Sequence, residues 1–306
     1  MSHPQPNPRR TARPWRLRTR ALELGHRTLV MGVVNVTPDS FSDGGAFLRP
    51  EAAVEHALRL LDEGADLLDL GAESTRPGSN AGEDAALCAE EEQARLLPVL
   101  RGILAARPDA IVSIDTYKAA TARAALAEGA EIINDVSGFG WDAEMARVCA
   151  EARCGVVLMH TRGRSGEWRT QPQLEPDAVL AAVRDGLAAS LELAKRAGVA
   201  AEAIVLDPGY GFGKRFGENY ALLARQAELL ALDRPLLAGL SRKSFLGRTL
   251  AELHGGQDAP VDARETASVA ALVAAILHGA SIVRVHKVRP AVEAARIADA
   301  VIAGDS

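Results

Sequence analysis

The sequence predicts a single (β/α)8 barrel, an α/β fold of the TIM type, and three observations predict it. Eight short apolar runs each stop on a polar or charged residue: Asn35, Asp69, Asp115, Asn134, His160, Asp207, Ser241 and the pair Arg284/His286. Between consecutive stops lies room for one amphipathic helix and a return turn, the rhythm of a parallel sheet closed on itself. The chain's 306 residues suit one such barrel, which takes about 250, plus extensions. In this fold the strand C-termini meet at one mouth, so eight residues far apart in sequence ring a single pocket.

The elements follow in order. Residues 1–14 are rich in Arg and Pro and are expected to form a disordered tail, leaving residues 15–306 as the barrel domain. Residues 15–24 alternate well enough for a short hairpin plugging the barrel bottom. Strands are expected at 28–34, 66–70, 110–114, 131–133, 155–159, 203–206, 235–239 and 281–283. Helical spacing marks 51–63, 84–106, 117–128, 142–152, 177–197 and 263–278. The final helix is expected to start at Pro290, a residue suited to a first helical turn. Residues 161–176 show no clear period. Two polar, glycine-hinged loops, 35–45 and 71–82, far exceed the usual few residues and read as mobile covers over the mouth, with ordinary solvated loops as the alternative.

Bulk properties exclude several classes. Hydrophobic residues make up 48% with mean hydropathy +0.00, which fits a soluble enzyme with a large core. No apolar stretch approaches the roughly 18–20 residues that a membrane span requires. The N-terminus lacks a signal core, from which a cytoplasmic location is expected. The three cysteines, Cys88, Cys149 and Cys154, fit neither a metal site nor a disulfide frame and read as reduced packing thiols. Net charge is −5, yet the first twenty residues hold six Arg and no acid. No basic surface with interleaved aromatics follows, so a solvated tail is expected rather than a nucleic-acid arm.

Three acids, Asp69, Asp115 and Asp207, end apolar strands, and a buried carboxylate needs donors. Lys243 and Asn134 supply some, and the N–H edge of a flat amino-pyrimidinone heterocycle would supply more. The alternative is that Asp207 and Lys243 pair to stiffen the barrel. Residues 241–244 and 284–287 close strands seven and eight with cations, where barrels commonly hold phosphate. Alternation puts Arg284 and His286 on one side, ready for a diphosphate. Pairing of Arg284 with an acid across the barrel top is the competing reading.

These segments, in this order, closely resemble the dihydropteroate synthase family from Met31 to His286. The resemblance rests on 35–45 (Asn-Val-Thr-Pro-Asp-Ser-Phe-Ser-Asp-Gly-Gly), 73–78 (Glu-Ser-Thr-Arg-Pro-Gly), 113–116, 134–138, 207–214 (Asp-Pro-Gly-Tyr-Gly-Phe-Gly-Lys), 241–245 and 284–286. It implies condensation of (7,8-dihydropterin-6-yl)methyl diphosphate with 4-aminobenzoate to give dihydropteroate and diphosphate in folate synthesis. By analogy, Asp115, Asn134, Asp207 and Lys243 hold the pterin, and Asn35 contacts a Mg²⁺ cofactor on the diphosphate. Thr75, Arg76, Arg284 and His286 hold the anion. Phe41, Pro77, Phe212, Lys243 and Ser244 frame the aminobenzoate site, where sulfonamides compete. The family also implies a homodimer built on helices late in the barrel.

Three departures stand out. Ala72 replaces a usual Gly, Lys287 replaces a usual Asp, and His160–Arg169 lacks the family's Met/Gln-containing loop. A methyltetrahydrofolate–corrinoid methyltransferase shares the barrel but has no use for a diphosphate site. A non-catalytic pterin-binding paralogue is the second alternative, kept open by Lys287 and the altered fifth loop.

Overall fold

The computed structural model describes residues 11–36, 50–73, 81–83 and 86–304. Eight parallel strands close a barrel, and their residues are β3 (Leu29–Asn35), β4 (Leu67–Gly71), β5 (Val112–Asp115), β6 (Ile132–Asp135), β7 (Gly155–Met159), β8 (Ile204–Asp207), β9 (Leu236–Ala238) and β10 (Ala280–Val285). Closure comes from β10 pairing with β3, Arg284 opposite Met31 and Val285 opposite Gly32. Helices α1 (Pro50–Asp62), α2 (Ala89–Ala106), α3 (Ala119–Ala127), α4 (Met145–Ala152), α5 (Pro176–Ala197), α6 (Phe216–Ala224), α7 (Ser244–Thr249), α8 (Glu265–Leu277) and α9 (Val288–Gly304) lie outside the barrel. No described helix is long and apolar enough to cross a membrane.

Period-two alternation divides the barrel interior into tiers. Met31, Leu67, Ile111, Ile132, Val157, Val205, Leu237 and Ile282 form an apolar lower tier. Two residues further along the strands come Asp69, Ser113, Asn134, Asp207 and Arg284, so the same alternation that packs the floor delivers the polar tier to the mouth. The antiparallel hairpin of β1 (Arg13–Arg16) and β2 (Ala21–Leu24) closes the bottom. Its Trp15, Leu17 and Leu24 join the lower tier, and the Trp15 indole donates to the Ala203 carbonyl at 2.9 Å.

The hairpin moves the expected tail boundary. Arg13 and Pro14 belong to β1, because Arg13 is anchored to Asp233 by hydrogen bonds of 2.8 and 2.9 Å to its carbonyl and carboxylate oxygens. Arg18 and Arg20 likewise donate to the carbonyls of Ala130 and Asp109, both at 3.0 Å. The described N-terminal arginines therefore dock the plug onto the barrel rim. Residues 1–10 lie outside the described residues.

Other boundaries shift for local reasons. Helix α2 starts at Ala89, not 84, with Cys88 capping the Glu91 amide and acidic Glu90, Glu91 and Glu92 in its first turn, where the helix dipole favours them. Helix α9 starts at Val288, so Pro290 is its third residue; its missing N–H still falls among donors that no helical carbonyl could receive. Helix α6 had no counterpart in the periodicity, because two of its inward positions are Glu218 and Asn219, both buried. Cys149 and Cys154 are buried and free, as expected of packing thiols, whereas Cys88 is exposed.

Candidate active site at the barrel mouth

Arg284 organises the upper tier. Its Nε donates to Asp69 Oδ2 at 2.6 Å and its Nη2 to Asp115 Oδ2 at 2.7 Å. Asn134 Nδ2 donates to the same Asp69 oxygen at 3.0 Å. Of the two readings the residues left open for Arg284, pairing across the barrel is the one formed, and its Nη1 stands outside both ion pairs. Asp69 is fully buried, and its Oδ1 and the neighbouring Ser113 Oγ have no hydrogen-bond partner among the described residues. Burial pushes the Asp115 carboxyl up to about 7, against the pull of Arg284 and with the added repulsion of Asp69. Gly71 on β4 leaves the space for it: a Cβ there would lie 3.3 Å from Asp115 Cβ.

Asp207 sits on the opposite wall. Its Oδ1 accepts the Gly209 amide at 2.7 Å. Burial raises its carboxyl, opposed by that hydrogen bond and by Lys243, Lys214 and Arg284. Lys243 forms no ion pair with Asp207 among the described residues. Its ammonium instead lies 4.0 Å from the centre of the Phe212 ring, a cation–π contact. Burial draws Lys243 down to about 8, against the attraction of Asp207. The stiffening ion pair allowed by the sequence is thus absent, and Lys243 faces the lumen over an aromatic platform.

The loop after β9 carries Lys243 in a fixed frame. Arg242 has φ 61°, an uncommon conformation for a side-chain-bearing residue. It is held from both sides: its amide donates to Ser268 Oγ at 2.9 Å, and its carbonyl accepts Arg264 Nη1 at 3.1 Å. Ser244 is exposed and opens α7. Just past β10, His286 meets Ser241 Oγ through its amide at 3.3 Å and its Nδ1 at 3.0 Å. Lys287 next to it is exposed. Asn35 is half-buried at the end of β3. Asp115, Asn134, Asp207, Phe212, Lys243 and Arg284 therefore share one end of the barrel, with Asn35, Ser244 and His286 at their strand ends. Phe41, Thr75, Arg76 and Pro77 lie outside the described residues.

A second polar cluster has no counterpart in the sequence pattern. The Glu73 carboxylate accepts the Leu87 amide at 3.0 Å, the Tyr117 hydroxyl at 2.9 Å and the Lys118 ammonium at 2.5 Å. Tyr117 Oη accepts the Gly82 amide at 3.0 Å, and Lys118 reaches Glu92 at 3.4 Å. The fifth barrel loop docks on the same place. Ser165 Oγ donates to the Ala81 carbonyl at 2.9 Å, Arg164 donates to the Gly82 carbonyl, and the Gly166 amide reaches Glu83 at 3.2 Å. Only the tertiary contacts reveal this cluster, since Tyr117 and Lys118 fall just beyond a strand end and read as ordinary helix-leading residues.

Comparison with known proteins decides the family. A pterin binding enzyme family matches residues 31–286. The dihydropteroate synthase of Mycobacterium leprae is 46% identical over 273 residues, covering 89% of this chain and 92% of that protein. The chain belongs to the dihydropteroate synthase family. The enzyme of Escherichia coli K12 is 39% identical over 282 residues, 92% of this chain and 94% of its own. Among solved structures, the Xanthomonas albilineans synthase with 4-aminobenzoic acid superposes with TM-score 0.83 at 41% identity, covering 95% of this chain and 98% of its own. The Yersinia pestis synthase in a sulfonamide complex gives TM-score 0.84 at 38% identity, covering 95% and 100%. The expected barrel and family are thereby borne out.

Proposed function

We propose that the protein condenses (7,8-dihydropterin-6-yl)methyl diphosphate with 4-aminobenzoate to form 7,8-dihydropteroate and diphosphate, a step of folate synthesis. The observation that carries this reading is the lumen-spanning set Asp69–Arg284–Asp115 facing Asp207 and Lys243. Carboxylates on opposite walls suit the N–H donors of an amino-pyrimidinone, with Asn134 between them. Arg284 is oriented by two carboxylates, leaving Nη1 for an anion. Phe212 beneath Lys243 supplies a flat wall for the aryl amine, with Ser244 beside it. Phe41, Pro77, Thr75 and Arg76 complete the aminobenzoate and anion subsites in this reading. Sulfonamides compete at the aminobenzoate wall.

In the reaction the amine lone pair forms the C–N bond. The C–O bond electrons leave with diphosphate, and one N–H proton is released. An aryl amine is neutral at pH 7, so the chain needs no general base for the attack, which accords with His286 as an anion donor. Departing diphosphate leaves positive charge on the pterin, and the carboxylates of Asp115 and Asp207 flank it. Asn35 is the residue that would hold Mg²⁺: its amide oxygen is a hard donor at a strand end, and Mg²⁺ is commonly bound through few protein ligands plus substrate phosphates. When bound there, the ion would neutralise diphosphate charge. A homodimer is proposed on Ile297 and Val301, exposed one turn apart on α9. A cytoplasmic location is proposed on the three free cysteines.

The test is diphosphate release with Mg²⁺ and the pterin substrate, with and without 4-aminobenzoate. Release that depends on 4-aminobenzoate and yields dihydropteroate is expected. Tight pterin binding without turnover would replace the synthase by a non-catalytic pterin binder.

A further inference from the structure

Lys214 takes no part in the steps above, yet it is a buried cation, only 6% exposed. Its ammonium donates to three main-chain carbonyls: Gly209 at 2.7 Å, His160 at 3.2 Å and Phe212 at 3.2 Å. An ammonium has three donors, so all are spent on backbone. The loop 208–214 is shaped around it. Gly209, Gly211 and Gly213 have φ of +69°, +84° and +69°, a left-handed alternation that side chains resist. The amides of Gly209 and Gly211 donate elsewhere, to Asp207 Oδ1 and Asn219 Oδ1, both at 2.7 Å. The loop is also pressed against the neighbouring strand end. A Cβ on Gly209 would lie 2.0 Å from the His160 carbonyl oxygen, and one on Gly213 2.6 Å from that of Arg162.

Two functional groups hang on this loop. The Gly209 amide holds the Asp207 carboxylate, while the Gly209 carbonyl is held by Lys214. The Phe212 ring lies under the Lys243 ammonium, while the Phe212 carbonyl is held by Lys214. We propose that Lys214 is a positioning residue for both half-sites: by gathering the carbonyls of Gly209 and Phe212 onto one ammonium, it sets the Asp207 carboxylate for the pterin and the Phe212–Lys243 wall for the aryl amine. This rests on the site reading given above. The charge is matched to its surroundings: Lys214 faces Asp207 and Glu218, with Lys243 and Arg162 as the opposing cations. Burial draws Lys214 down to about 7 and Asp207 attracts it back, so carboxylate and ammonium sustain one another.

The experiment uses the full chain with Lys214→Met, Lys214→Gln and, as a stability control, Leu100→Ala. Leu100 is fully buried on α2, across the barrel from this loop. Three quantities are read: the Kd for the hydroxymethyl-dihydropterin alcohol by fluorescence, the KM for the aryl amine substrate, and Tm. Misplacement of binding groups by about an ångström is costly, so both Lys214 variants are expected to raise Kd and KM roughly tenfold or more. Leu100→Ala lowers Tm and leaves both constants unchanged. Lys214 variants with lowered Tm but Kd and KM within about twofold of wild type would overturn the inference and leave a purely structural lysine. Failure of the wild-type chain to bind the dihydropterin would overturn the site reading, and this inference with it. Should neither variant fold, ¹⁵N-lysine spectra of the wild type decide: a Lys214 ammonium signal that moves on dihydropterin binding supports positioning, and one that stays fixed refutes it.

Discussion

Replacing Arg284 by Met removes the cation that bridges Asp69 and Asp115. Asp69 is fully buried, and among the described residues its other polar contact is the neutral amide of Asn134. Removing one partner of a buried ion pair typically costs about 3–5 kcal/mol, because the remaining charge is left uncompensated. For a domain of this size class that corresponds to a fall in Tm of roughly 6–20 °C, taking about 2–4 °C per kcal/mol. The pH dependence follows from Asp115, whose folded carboxyl titrates at about 7 even with Arg284 present. Without the guanidinium, the Asp115 carboxyl is raised further and holds a proton that the unfolded chain has released. A folded state that binds more protons loses stability as pH rises. The deficit of the variant is therefore largest at pH 8, shrinks by up to about 1.4 kcal/mol per pH unit as pH falls to about 7, and levels below it, where the wild type holds the same proton. Urea denaturation of both proteins at pH 5, 7 and 8 measures it. A deficit below about 1 kcal/mol, or one constant across that range, would refute the bridged-carboxylate account of the mouth.

Three more outcomes follow. Asp115→Asn should leave the fold intact, since an amide can still meet Arg284, and lower kcat by about 10²–10³ through loss of charge beside the developing pterin cation; near-normal turnover would count against that cation. Lys243, drawn down to about 8, is charged below that pH, so kcat/KM should fall on an alkaline limb near pH 8. Lys243→Arg should move the limb upward, and an unmoved limb would assign it to another group. Trp15→Ala removes a fully buried indole from the barrel floor and should cost about 3–5 kcal/mol of stability, with KM values unchanged; a changed KM would contradict the separation of floor from mouth.

Strand ends are legible because each apolar run stops on a polar residue, and tier geometry turns that punctuation into a ring. Asp115, Asn134, Asp207, Lys243 and Arg284 are found this way. The partner of Arg284 is not legible: Asp69 and Asp115 lie on β4 and β5, brought within reach only when β10 closes against β3. Helix α6 hides behind Glu218 and Asn219, polar residues turned inward to serve loops. Glu218 accepts the Leu174 and Arg215 amides, both at 2.6 Å, and Asn219 accepts that of Gly211. Lys214 stands within a recognisable run, but its role depends on three carbonyls that no residue pattern encodes. The tail boundary fails similarly, since Arg13 is ordered by Asp233, 220 positions away.

The Arg284 bridge makes the site a product of the chain's two ends. Its ion pairs span 215 and 169 positions, from the last barrel strand back to the second and third. A nascent chain that has not yet made β10 possesses the acids of the pocket but not the cation that sets them. The bridge appears in one step with closure of the cylinder, so a pterin that recognises the assembled tier binds the closed barrel in preference to any open intermediate. By mass action, substrate then acts as a clasp on the seam between β10 and β3, raising the stability of the protein in proportion to the logarithm of its own concentration.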